Sequence, residues 1–160
     1  MDMHRRWQTQ LVEAQTFAFY HMWKASSLLL SGPWPGQATV DWARTEVQSA
    51  ALSIVTLSYL DRDHANQLLR IDYVLVRLAT NWSDYVLNLT YTERTTLSNH
   101  IRTIGDKLLN AYGNYINYTS TNTLTGPSFW YFGPSPPDEI LLRQVVDLAT
   151  TLPGLPSLPS

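Results

Sequence analysis

Apolar positions along this chain recur at the helical period almost throughout. Over residues 4–30, Trp7, Leu11, Ala14, Ala18, Met22, Ala25 and Leu29 follow a 4-3-4-4-3-4 spacing, which returns each of them to one side of an α-helix. Val12, Phe19, Trp23 and Leu30 widen that stripe, so two faces of this helix are expected to be buried. Ser31-Gly32-Pro33 ends it, and Pro33-Trp34-Pro35-Gly36 reads as a rigid turn. A second helix is predicted over 41–60, with Asp41 as N-cap and Val47, Ala51, Ile54, Val55 and Leu57 inward. After Asp61-Arg62-Asp63, a third is predicted over 64–89 through Leu68, Ile71, Leu75, Leu78, Trp82, Tyr85 and Leu89. Thr90 and Glu93 have capping-box spacing and open a fourth, carrying Leu97, Ile101, Ile104, Leu108, Ala111 and Tyr115.

The pattern then changes. Residues 117–137 are first polar, then aromatic, then proline-rich. Ser135 as N-cap, Pro136 at the first helical position and Asp138-Glu139 in the first turn predict a final helix to Leu152. Its apolar positions are Ile140, Leu141, Val145, Leu148 and Leu152. The chain closes on an extended apolar tail rich in proline. The expected fold is all-α and a single domain: a four-helix-bundle-like core with an N-terminal helical arm, a short C-terminal helix appended to it, and the tail. The expected boundaries are 1–36 for the arm and turn, 37–116 for the bundle, 117–137 for the loop, 138–152 for the final helix and 153–160 for the tail.

Within the loop, Phe129, Trp130, Tyr131 and Phe132 stand consecutively, fenced by Pro127 and by Pro134, Pro136 and Pro137. Neither a helix nor a strand buries four side chains in a row on one face. Four such side chains carry roughly 600–1,000 Å² of mostly apolar surface, more than a monomer usually exposes as one patch. The run is therefore expected to be an assembly surface, covered in part by something else. The apolar tail, through Leu155 and Leu158, is expected to serve the same contact.

Composition narrows the partners. Charged residues make up only 15% of the 160 positions, below the usual quarter, so much of the outer surface must be uncharged and partly aromatic. Net charge is −2, whereas a nucleic-acid-binding domain is usually basic. There are no cysteines, which excludes disulfides and thiolate chemistry. The Met-Asp-Met-His-Arg-Arg-Trp start has no secretion-signal pattern, and no stretch has the length of a membrane-spanning helix.

Candidate chemistry is sparse. His4, His21, His64 and His100 are far apart, and none has a second ligand at metal spacing. Asp61-x-Asp63-His64 lacks the glycine and glutamate of a calcium loop, and helix capping accounts for it better. No phosphate-cradling glycine loop or nucleophile elbow occurs. The chain is accordingly expected not to be an enzyme and to use no metal or cofactor and no small-molecule substrate.

The basic residues leave two alternatives open. Arg62, Arg70 and Arg77 fall within about 80° of one another on the predicted third helix. Arg6 and Lys24, eighteen residues apart, project from one side of the first, with Arg5 beside Arg6. Such positions form either a solvated face, where ion pairs contribute little, or a set of phosphate contacts, for which the planar guanidinium is suited.

Two segments resemble a known family. Leu108-Leu-Asn-Ala-Tyr-Gly113 and Pro137-Asp-Glu-Ile-Leu-Leu-Arg-Gln-Val-Val-Asp-Leu-Ala-Thr-Thr-Leu-Pro-Gly154 are similar to the major coat proteins of rod-shaped and filamentous archaeal viruses, the rudiviruses and lipothrixviruses. There a helix closing on Ala-Tyr-Gly precedes a Pro-Glu-Ile-Leu-type helix start, a Val-Val pair and a short Pro/Gly end. The resemblance covers about fifty residues. It implies a virion coat subunit that polymerises as a helical filament around linear double-stranded DNA held in A-form, through sequence-independent backbone contacts. It also implies assembly with itself or with a paralogous coat protein, as a homo- or heterodimer, within a lipid envelope in filamentous members. On this resemblance, what covers the aromatic run would be a neighbouring subunit or an envelope. Matched by chain region, the DNA-facing residues would be Arg5, Arg6, Lys24, Arg44, Arg70 and Arg77. Two features depart from the family: the N-terminal arm is less basic, and segment 114–135 is longer. A non-enzymatic helical-bundle module that grips a protein through its aromatic loop is the rival expectation.

Overall fold

A computed structural model describes residues 3–30, with side chains from Thr9 onward, together with 36–112 and 137–159. The described residues form α1 (Met3–Leu29), α2 (Gln37–Leu60), a 3₁₀ turn (Arg62–His64), α3 (Ala65–Thr80), α4 (Trp82–Val86), α5 (Tyr91–Tyr112) and α6 (Glu139–Thr151). The all-α fold is as expected, and no strand occurs among these residues.

The helices close into a ring. α1 packs between α2 and α5, α2 packs on α3, and α6 lies against both α3 and α5. The short C-terminal helix α6 is thus added to the bundle as a stave between α3 and α5. Leu142, Val145, Val146 and Ala149 of α6 join the same continuous core as Met22 and Leu29 of α1 and Ile101 and Ile104 of α5. A five-stave ring buries the inner stripe of every long helix, which is how five amphipathic helices remove their apolar faces from water together.

Small residues line the approach of α1 to α5. Gly105 is buried, and a Cβ built on it would stand 3.3 Å from the Met22 Cβ. Nearby, Ser98 Oγ donates to the Ser26 carbonyl at 2.9 Å and lies 2.9 Å from Ser26 Oγ. Both hydroxyls are thus satisfied inside the core, as burial of polar groups requires.

Several helix ends differ from expectation. α2 begins at Gln37 behind Gly36, so Asp41 is not its N-cap. Its carboxylate instead accepts from Gln37 Nε2 at 2.9 Å. The predicted third helix is interrupted at Asn81, whose side-chain amide donates to the Arg77 carbonyl at 2.9 Å and thereby competes with the helical ladder. After this break Trp82 is fully buried and its indole N–H reaches the Val40 carbonyl at 2.8 Å. The N-cap of α6 is Asp138, accepting from Ile140 N and Leu141 N at 2.9 and 3.1 Å. Ser135, which was expected to cap it, and Pro136 lie outside the described residues, as does Tyr115. The capping box forms as expected: Glu93 N donates to Thr90 Oγ1 at 3.1 Å, and Thr90 N to Glu93 Oε1 at 3.0 Å.

Candidate nucleic-acid and subunit-contact surfaces

α1 is flanked by α2 and α5, so its outward side occupies the middle of a three-helix surface. Phe17, Tyr20 and Trp23 are exposed there, and Trp42 of α2 is exposed beside them. The Lys24 ammonium lies 5.0 Å from the centre of the Trp42 ring. Trp42 Nε1 donates to Glu46 Oε1 at 3.2 Å, and Glu46 Oε2 is 2.6 Å from His21 Nδ1. On the α5 side the Arg102 guanidinium sits 3.9 Å over the Trp23 ring, whose Nε1 donates to Asp106 Oδ1 at 3.0 Å. The result is a platform of aromatic rings stiffened by cations, in which Lys24 is a predicted contributor. Arg102 was not singled out from the sequence, because its stacking partner is 79 residues away in the chain. Arg5 and Arg6 are in the first turns of α1, with side chains outside those described.

The remaining basic candidates are elsewhere. Arg44 is half-buried and Arg44 Nε donates to the Ala79 carbonyl in the last turn of α3 at 2.9 Å. Arg62 belongs to the 3₁₀ turn and not to α3, so only Arg70 and Arg77 share that helix. Arg70 is exposed. Arg77 Nη2 donates to the carbonyls of Leu158 and Pro159, each at 2.9 Å. The structure therefore does not gather Lys24, Arg44, Arg70 and Arg77 on one face.

Arg77 is one of several donors that hold the C-terminal tail on its own chain. Tyr85 Oη donates to the Pro156 carbonyl at 2.6 Å, and His100 Nε2 to the Pro153 carbonyl at 2.9 Å. Leu155 and Leu158 are part-buried against the core of the same molecule. The tail's carbonyls find partners on α3, α4's Tyr85 and α5, so within one molecule the tail is seated on its own bundle, and the part of Leu155 and Leu158 left exposed is what a neighbour could contact. Leu152 at φ 40° and Gly154 at φ 80° turn the chain from α6 onto that path. The other predicted contact residues, Phe129, Trp130, Tyr131 and Phe132, lie outside the described residues.

A polar cluster fastens the opposite end of α6. His64 Nδ1 lies 3.0 Å from both Asp61 carboxylate oxygens, and His64 Nε2 lies 2.6 Å from Glu139 Oε1. Tyr112 Oη donates to Asp61 Oδ2 at 2.8 Å. Burial alone would lower the His64 pKa, but the hydrogen bonds and charges of Glu139 and Asp61 outweigh it and hold the imidazole above its ordinary value. Burial, the Asp61 hydrogen bond and the Asp61 and Glu139 charges push the Tyr112 phenol well above its usual range. The cluster is internally bonded, and no group of three or more His, Asp or Glu side chains among the described residues is arranged to hold a metal ion. No helix among them is long and apolar enough to cross a membrane.

Comparison with models of known protein families, with characterised proteins and with solved structures finds no match to this chain.

Proposed function

We propose that this chain is a structural coat subunit, which polymerises into a helical filament around linear double-stranded DNA through backbone contacts and performs no catalysis. The observation that carries the reading is the surface. Large apolar side chains are exposed on α1, α2, α3, α5 and α6, among them Phe17, Tyr20, Trp42, Tyr59, Tyr73 and Ile140. Single exposed hydrophobics are ordinary, but their spread over five helices suits a molecule covered on several sides by neighbours. The resemblance of residues 108–113 and 137–154 to archaeal viral coat proteins points the same way.

On this reading Lys24 and the arm residues Arg5 and Arg6 carry the phosphate contacts. Arg44 and Arg77 bond within the chain and contribute less. Each subunit then neutralises few phosphates, so affinity arises from many copies and falls with salt until the polymer locks. Assembly with itself or with a paralogous coat protein, as a homo- or heterodimer, and an envelope around the filament are compatible extensions. The rival reading is a helical module that binds protein and no nucleic acid. It is favoured by one observation, the internal use of Arg44 and Arg77.

Electron microscopy of native assemblies, combined with nuclease treatment, tests the choice. Filaments with a protected duplex inside are expected. Complete digestion of DNA in intact assemblies would overturn the DNA reading. Replacing Phe129 to Phe132 by Ser is expected to abolish filaments while leaving the helical circular dichroism unchanged.

A further inference from the structure

α3 carries two apolar stripes, and the ring uses only one. Leu68, Ile71, Leu75 and Leu78 point inward and are buried. On the opposite side Leu69, Tyr73 and Val76 are 43%, 61% and 46% exposed, and with Thr80 they follow a 4-3-4 spacing. That alternation averages 3.5 residues and is the seam pattern of a two-stranded coil.

The edges of the outer stripe carry opposite charge. At 100° per residue, Asp72 lies about 70° to one side of it, whereas Arg70 and Arg77 lie about 70–90° to the other. Asp72 borders a groove of about 400 Å³ between α2 and α3, walled by Leu52, Val55 and Val76. Its Oδ1 is buried without a hydrogen-bond partner among the described residues, and burial pushes the carboxyl up to about 6. On the other edge the tail carbonyls fix Arg77, with its guanidinium 5.5 Å from the Tyr73 ring centre.

These edges distinguish possible occupants. A phosphate surface would be repelled along the Asp72 edge. A second copy of the chain is complementary in one orientation. With a two-fold axis parallel to the helices, the acidic edge of each copy meets the basic edge of the other. An axis across the helices would place acid against acid. In a parallel seam the flanking residue pairs with the one five positions later on the other helix, which matches Asp72 with Arg77 of the second copy and leaves Arg70 about 3 Å away along the axis.

We propose that the outer face of α3 is a self-association surface, on which a second copy of this chain packs its own α3 in parallel across the Leu69, Tyr73 and Val76 seam, with Asp72 of each copy against the arginine edge of the other. This contact needs no nucleic acid, so it stands or falls separately from the DNA reading. Two heptads make a short seam, and the pair is weak alone and gains strength when repeated in a polymer.

The test uses the full chain, which has no native cysteine. In a parallel, in-register pair each seam residue faces its own copy, so Leu69→Cys and Val76→Cys should each give a disulfide-linked dimer under mild oxidation. Gln144→Cys, on the exposed side of α6, should not. Sedimentation should show a concentration-dependent dimer whose dissociation constant rises roughly tenfold in Asp72→Arg, since two part-buried ion pairs are lost and replaced by repulsion. The double variant Asp72→Arg with Arg70→Asp should recover part of that loss, since Arg77 of the other copy still faces the new arginine. Helical circular dichroism confirms that each variant is folded. Absence of cross-linking at both seam positions, equal cross-linking at residue 144, or an unchanged dissociation constant in Asp72→Arg overturns the proposal. Filaments without these cross-links would overturn it and leave the coat reading intact. Cross-links in material that never protects DNA would do the reverse.

Discussion

His64 Nε2 lies 2.6 Å from the Glu139 carboxylate across 75 residues of chain, while His64 Nδ1 faces Asp61. One imidazole thus bridges the 3₁₀ turn and the first turn of α6, and Asp61 passes the connection on to Tyr112 at the end of α5. A neutral imidazole has only one N–H to donate, so it cannot serve both carboxylates. The imidazolium can.

Stability should therefore depend on pH through this residue. The folded-state pKa is raised, so the bridge's contribution is complete below the unfolded value of about 6.5 and is lost as pH rises through the higher folded value. Relative to His64→Gln, the wild-type protein should gain on the order of 1 kcal/mol at pH 5, or about 2–4 °C in Tm, and the gap should narrow above neutrality. Thermal melts of both proteins from pH 5 to 8 check this. A constant difference across the series would show that the imidazolium is not the stabilising form.

Trp82 gives a prediction of a different kind. Its indole is fully buried and supplies the hydrogen bond to the Val40 carbonyl in the first turn of α2. Trp82→Phe keeps most of the volume but deletes this hydrogen bond, while the carbonyl keeps its helical N–H partner, at a cost of about 0.5–1.5 kcal/mol. Trp82→Ala adds a cavity and should cost about 3–5 kcal/mol. Chemical denaturation should rank wild type, Phe and Ala in that order. Equal stability of the wild type and the Phe variant would show that the hydrogen bond contributes nothing net.

These two contacts also show why some of the fold could be read along the chain and some could not. The inward stripes of α1 and α5, and the capping box of Thr90 and Glu93, depend on neighbours within a few residues, so spacing alone reveals them. The break at Asn81 does not, because Leu78, Trp82, Tyr85 and Leu89 keep a helical rhythm straight through it. The partner of the buried Trp82 indole is a carbonyl 42 residues away. α6 shows its buried face in Val145 and Val146, but periodicity cannot say that α3 and α5 stand on either side of it. The seat of the tail was hidden for a related reason. Its own sequence offers few donors, and those that hold it, Arg77, Tyr85 and His100, come from other helices. For the candidate surface, the positions of Lys24 and Arg70 were legible, whereas the commitment of Arg44 to Ala79 and of Arg77 to the tail was not.

Gly105 should resist enlargement. An alanine there gains helix propensity of about 1 kcal/mol, yet its Cβ would meet the Met22 Cβ at 3.3 Å, and the two effects nearly offset. Gly105→Leu cannot fit without parting α1 from α5, which amounts to overpacking on the order of 1–3 kcal/mol or more. Denaturation midpoints should be close for wild type and Gly105→Ala and clearly lower for Gly105→Leu. A neutral leucine would mean that α1 and α5 are not held at this separation.

The tail should come loose when its donors are removed, and the consequence separates an internal role from an external one. Arg77→Ala deletes both hydrogen bonds to Leu158 and Pro159, and Tyr85→Phe deletes the one to Pro156. Each is expected to cost about 0.5–1.5 kcal/mol per hydrogen bond lost, partly offset by the regained freedom of the last residues. Together they should raise amide exchange of Leu155 and Leu158 well above wild type, because both residues pack on this chain's own core. The measurement should be made on dilute protein, where no neighbour can substitute for the bundle. If wild-type exchange at these positions is already as fast as in the double variant, and slows only at concentrations where the chain associates, then the tail belongs to a neighbouring subunit after all.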